Sequence, residues 1–153
     1  MNNNEWRVER AKEVVKLLHT GVMDDNNEVR EFNILDYYKI IGISPKSLYE
    51  RTYDELRKVY SESELKKFYS FVLRNLGDSK ITEKAIMEVK HSVLINDKLV
   101  EITDFDKTNI INYLKSNKIR LTSDVYALAL KDYINNGFSF KDNLDEKNKA
   151  LTK

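Results

Sequence analysis

Metal and proton chemistry in this chain would have to come from a few places: His19, His91, and the acid-bearing stretches "DDNNE" (24–28) and "DFDKTN" (104–109). Each histidine is isolated, without the H-x-x-x-H spacing and nearby acid that set two imidazoles and a carboxylate around one ion, so both read as surface or half-buried side chains. The acidic stretches offer oxygen ligands but lack the glycine and terminal glutamate of an EF-hand loop. With no cysteine, disulfides, thiolate catalysis, iron-sulfur clusters and cysteine-based zinc sites are excluded. Nor is there a glycine-rich phosphate loop or a nucleophile elbow. The residues predict a protein that is not an enzyme, with no catalytic residue, no metal and no cofactor.

Binding chemistry has more to work with. Lys46, Ser47 and Arg51 lie close together in "GISPKSLYER" (42–51), and Lys115, Lys118 and Arg120 in "LKSNKIR" (114–120). With 26 basic against 25 acidic side chains the net charge is +1, so no whole-molecule field draws the protein to a polyanion, and any nucleic-acid surface must be local. Nine tyrosines include Tyr49, Tyr53 and Tyr60, at helical spacing, and Tyr37 and Tyr38 before them. Such residues belong to a core with the phenol at its edge, or, where exposed, to a protein-binding patch.

The elements that must position these groups are helical. Four glycines and one proline in 153 residues leave little for the turns of an all-β fold. The pattern predicts a mainly α protein: a single helical domain over 1–140 of about seven helices, with one small β-hairpin near residues 93–102 and a flexible tail over 141–153. An amphipathic helix over 4–20 carries Trp6, Ala11, Val14, Val15 and Leu18 and closes near Gly21, set off by a loop over 22–32. Asn33 caps a short second helix, with Phe32 and Tyr37 at hydrophobic-staple spacing and Gly42 as its left-handed end. Ser44-Pro45 starts a third through Leu48, Tyr49, Tyr53, Leu56 and Tyr60. Ser61 and Glu64 form a capping-box spacing for a fourth through Leu65, Phe68, Val72 and Leu76, stopped at Gly77. Thr82 caps a fifth. "VLINDKLVEI" turns at Asn96-Asp97 as the hairpin. Thr103 and Asp106 open a helix with Ile110, Ile111 and Leu114, and Thr122 or Ser123 opens a last one through Val125, Leu128, Ala129 and Tyr133 to Asn135-Asn136-Gly137.

Residues 34–51 resemble a helix-turn-helix, the DNA-binding element of many bacterial regulators and transposases: Gly42 and Ile43 at the turn, Ile41 before it, Leu48 facing inward. The resemblance implies that Lys46, Ser47 and Arg51 face double-stranded DNA. Separately, the basic connection between the two helices of residues 111–133, with Lys115, Lys118 and Arg120, offers a second phosphate-contacting set, to which the preceding hairpin would add a small wing. The sequence departs from the pattern at Tyr38, where a small residue lets the two helices approach, and at Arg51, where an apolar one is usual. Glu50, Asp54 and Glu55 also stand among the basic residues. The leading expectation is a DNA-binding regulatory protein of a low-GC bacterium or its phage or plasmid. The alternative is a protein-binding module, such as a small phage or mobile-element inhibitor, that occludes a host protein surface through Tyr49, Tyr53 and Tyr60. Either reading accommodates a homodimer. No apolar run approaches a membrane span and no signal-like apolar segment opens the chain, so the expectation is a cytoplasmic protein with no membrane partner.

Overall fold

Helix starts follow from short polar side chains that reach back to free amides three residues on. The computed structural model describes residues 3–24 and 26–140. In it Asn33, Ser44, Ser61, Thr82, Thr103 and Thr122 each accept such a bond as N-cap. The resulting elements fall into two units, Met1–Ser79 and Lys80–Lys153. Together they hold, among the described residues, seven helices and two small hairpins. The mainly α reading, with a hairpin near 93–102, is what the structure has.

In the first unit α1 (Asn3–Thr20) buries Ala11, Val14 and Val15. It ends at Gly21, whose φ of +76° and whose neighbour admit no side chain: a Cβ there would stand 2.6 Å from the Arg30 carbonyl oxygen. That close approach belongs to a hairpin, where the sequence pattern predicts a loop over 22–32. β1 (Val22–Met23) pairs antiparallel with β2 (Val29–Arg30), Val22 opposite Arg30 and Met23 opposite Val29. The Asp24 carboxylate accepts from the amides of Asn26 and Glu28, both at 2.8 Å, and so holds the turn. Two-residue strands carry too little alternation to stand out in a sequence.

α2 (Ile34–Ile40), α3 (Pro45–Leu56) and α4 (Glu62–Arg74) follow. The core forms where α1, α3 and α4 pack on one another, through Leu48, Leu56, Leu65, Phe68 and Val72. Phe71 sits between Phe32 and Tyr37, its ring centroid 5.5 and 5.9 Å from theirs. Three local readings are corrected. Gly42 does not have the left-handed φ expected of it; α2 ends instead through an extended Ile41. Tyr60 lies beyond the end of α3, in a turn where its amide bonds back to the Leu56 carbonyl, and so leaves the face shared by Tyr49 and Tyr53. α4 stops at Arg74, capped by Asn75, before Leu76 and Gly77.

The second unit contains α5 (Glu83–Glu88), β3 (Ser92–Ile95), β4 (Lys98–Glu101), α6 (Asp104–Ser116) and α7 (Ser123–Asn135). β3 and β4 pair antiparallel with Leu94 opposite Leu99. Asn96 and Asp97 both take positive φ, 51° and 66°, the requirement of a type I′ turn. α6 packs on α5 and α7, burying Ile86, Ile110, Ile111, Leu114, Val125 and Ala129. It ends in a Schellman motif: the Ile119 amide donates to the Leu114 carbonyl and the Lys118 amide to that of Lys115. Lys118 takes the left-handed position, φ 56°, that glycine usually fills. α7 ends the same way around Gly137. The tail expected over 141–153 lies outside the described residues.

Candidate functional site

The neighbours of α3 decide what it can present. Leu48, Thr52 and Leu56 are buried, and α3 packs chiefly on α1 and α4. A helix-turn-helix holds its crossing angle by packing its two helices on each other; here the second helix is held by others. Tyr38, at the position where a small residue would bring the pair together, is buried edge-on to Tyr37.

Lys46 and Arg51 are exposed. Ser47 is half-buried and engaged in the helix start, its amide donating to the Ser44 hydroxyl, which in turn donates to the Ser47 hydroxyl at 3.1 Å. Glu50, Asp54 and Glu55 are exposed on the same helix, and Asp54 and Glu55 pair with Arg57 and Lys58. In the second basic set, the Lys115 ammonium stands 2.6 Å from the Glu83 carboxylate, Lys118 is exposed at the helix-ending turn and Arg120 is half-buried.

The tyrosines divide. Tyr49 is half-buried, with ring centroids 5.4 Å from Tyr53, 5.1 Å from Phe68 and 5.6 Å from Tyr69. Burial raises its phenol pKa, and the neighbouring Tyr53 and Tyr69 add to the rise. Tyr53 and Tyr69 are 39% and 48% exposed, and Leu73, one turn past Tyr69 on α4, is 49% exposed. These residues make an aromatic and aliphatic patch on the α3 and α4 surface. Tyr69 and Leu73 went unremarked in the sequence; their signal is a second row, four residues apart, beside the buried row of Leu65, Phe68 and Val72.

Tyr60 instead lines a cavity of about 330 Å³ with Val15, Lys16 and His19 of α1 and Glu64 and Lys67 of α4. His19 Nδ1 and Lys67 Nζ are 3.1 Å apart. The amide and hydroxyl of Ser61 hold the Glu64 carboxyl below its usual range. A wider trough continues along α1 past Lys12 and Arg10 to Trp6, where Arg10 pairs with Glu13 and Lys12 with Glu9.

The second unit buries its polar chemistry. Asp106 accepts from the amide and hydroxyl of Thr103 and from the Tyr133 hydroxyl at 2.8 Å. Burial pushes its pKa up, but these hydrogen bonds outweigh it and hold the carboxyl below its usual range. The Lys107 side chain is buried and its ammonium donates to the Val89 carbonyl, at the end of α5. Burial, with the Asp106 charge adding to it, pushes the Tyr126 phenol up to about 12, and its hydroxyl has no hydrogen-bond partner among the described residues. The "DFDKTN" carboxylates therefore serve a helix start. Among the described residues no group of histidines and acids is placed to hold a metal ion, and no helix is long and apolar enough to cross a membrane. No protein-family model, curated protein or solved structure matches the chain.

Proposed function

We propose that this chain is a non-enzymatic protein-binding module that engages a partner protein through the α3 and α4 surface. The observation that carries the reading is the cluster of Tyr49, Tyr53 and Tyr69 beside Leu73, in which two tyrosines and the leucine keep between 39% and 49% of their surface in water. Burying half-exposed aromatic rings beside a leucine on association releases water from apolar surface, at a small entropy cost because tyrosine has few rotatable bonds. A near-neutral net charge and acids interleaved with the bases of α3 suit a protein surface better than a phosphate backbone. In a phage or mobile element of a low-GC host, such a module would act by covering a host protein's surface.

Affinity capture from a nuclease-treated lysate of a low-GC bacterium tests this, with wild-type protein beside Tyr53→Ser and Tyr69→Ser. A stoichiometric partner held by wild type and lost by both variants is the expected result; a partner held equally by all three sinks the assignment of the surface. Exposure of Lys46 and Arg51 favours DNA as a second reading. Titration with mixed duplex DNA at low salt decides it, since charge-driven contact appears there first: binding that Lys46→Gln and Arg51→Gln weaken would put DNA ahead of a protein partner.

A further inference from the structure

We propose that the cavity between α1 and α4 is a binding site for a small phosphate monoester with an apolar or aromatic body. The cavity, about 330 Å³, has room for a small organic molecule, and its polar rim is rich in donors and poor in acceptors. His19 and Lys67 set the pattern. An ammonium has only protons to give, so at 3.1 Å from Lys67 Nζ the imidazole accepts at Nδ1 and carries its own proton on Nε2. His19 thus keeps one donor, Lys67 keeps further protons, and Lys16 is in no ion pair among the described residues. Tyr60 adds a hydroxyl, while that of Thr20 already donates to the Gly21 carbonyl at 3.1 Å. The one carboxylate of the rim, Glu64, has its Oε1 occupied by the amide and hydroxyl of Ser61 at 3.0 and 2.9 Å.

Lys16 and Lys67 against Glu64 leave the rim net positive and in need of an acceptor. A phosphate monoester dianion supplies the missing charge and three acceptor oxygens at once. The wider trough does not share this need, because Arg10 and Lys12 already have Glu13 and Glu9 at 3.3 and 3.5 Å. The lining is also apolar in part, through Val15, itself buried, and the Tyr60 ring. That wall favours an ester with a hydrocarbon or aromatic body over inorganic phosphate, which leaves it wet.

The two histidines of the chain provide the reporter and its control. In side-chain ¹H–¹³C spectra of the full chain at low salt, titrated phenyl phosphate is expected to shift the His19 signals saturably while His91 stays still. Lys67→Gln, at an exposed position, is expected to weaken binding about tenfold, the value of one hydrogen bond to a charged group; inorganic phosphate should also bind about tenfold more weakly than the ester, for the apolar area left uncovered. A Lys16→Gln variant with the same loss gives independent support. No saturable His19 shift up to about 10 mM ester, where even a millimolar Kd registers, overturns the site. So do equal drifts at His19 and His91, or unchanged affinity in both lysine variants. Equal affinity for inorganic phosphate overturns the choice of an ester.

Discussion

Asp36 and Asp106 do the same local job in the two units and have different partners across the fold. Each is the third residue of its helix, closes a capping box with the preceding Asn33 or Thr103, and is 8% exposed. Asp36 then takes a bidentate pair from Arg30, at 2.6 and 2.7 Å, whose guanidinium side chain remains 40% exposed. Asp106 takes the hydroxyl of Tyr133, which is 1% exposed and also accepts from the Asn109 amide. One carboxylate is neutralised at the surface by a charge that water can reclaim; the other is solvated by neutral donors inside. The difference teaches that a capping motif read from sequence has an energetic weight set by what the tertiary structure brings to its far side.

The largest effect expected from that contrast is for Asp106→Ala. It strands the buried Tyr133 hydroxyl and removes the Asp106 half of the α6 capping box, with Thr103 still in place as N-cap, so a loss of about 3 kcal/mol follows, whereas Asp36→Ala, whose arginine turns to solvent, costs about 1 kcal/mol. Urea melts, with amide exchange of α6 and α2 to assign each loss to its unit, check the pair; equal costs would break the comparison. Tyr133→Phe keeps the ring and removes the internal donor, for about 1 kcal/mol. A double-mutant cycle with Asp106→Asn should show strong coupling between the two, and strict additivity would deny that they act together.

Acid sharpens the same contrast. The folded Asp106 pKa lies below its unfolded value, so the unfolded chain takes up the proton first as pH falls. The stability this group contributes is full above the unfolded pKa, about 3.9, and is lost as pH drops through the folded value. Between pH 5 and 2, roughly the window of carboxylate titration, the second unit of Asp106→Asn should therefore lose less stability than that of wild type. An identical acid dependence in the two proteins would contradict the shift. The smallest effect is expected at Tyr126, near enough to feel the Asp106 charge but without a bond for its hydroxyl. Tyr126→Phe removes an unsatisfied buried group, so stability should stay within about 0.5 kcal/mol of wild type or rise; a clear loss would mean the hydroxyl has a partner in solution.

What could be read without the fold was whatever a side chain decides within its own turn of chain. Asn33, Ser44, Ser61, Thr82, Thr103 and Thr122 are legible as helix starts because an N-cap reaches only two or three residues along, and Asn96-Asp97 is legible because both residues tolerate positive φ. Glycine proved a weaker guide. Gly42 was expected to be left-handed and is not, while Lys118, which nothing in its residue type marks, is: the Schellman bonds and the burial of Leu114 and Ile119 hold it there.

The candidate sites were less legible for the same reason. Tyr49 and Tyr53 could be placed together by their four-residue spacing, but Tyr69 joins them from another helix, and Tyr60 leaves them because α3 ends at Leu56. His19 and Lys67, 48 positions apart, meet only because α1 and α4 pack on each other. The amino-acid sequence by itself determined the helices, their starts and the β3 and β4 turn, through hydrogen bonds and periodicities that act within a few residues. Only the tertiary structure decided which helices bury α3, which tyrosines remain in water and which cations share a cavity, because those outcomes depend on contacts between segments far apart in the chain.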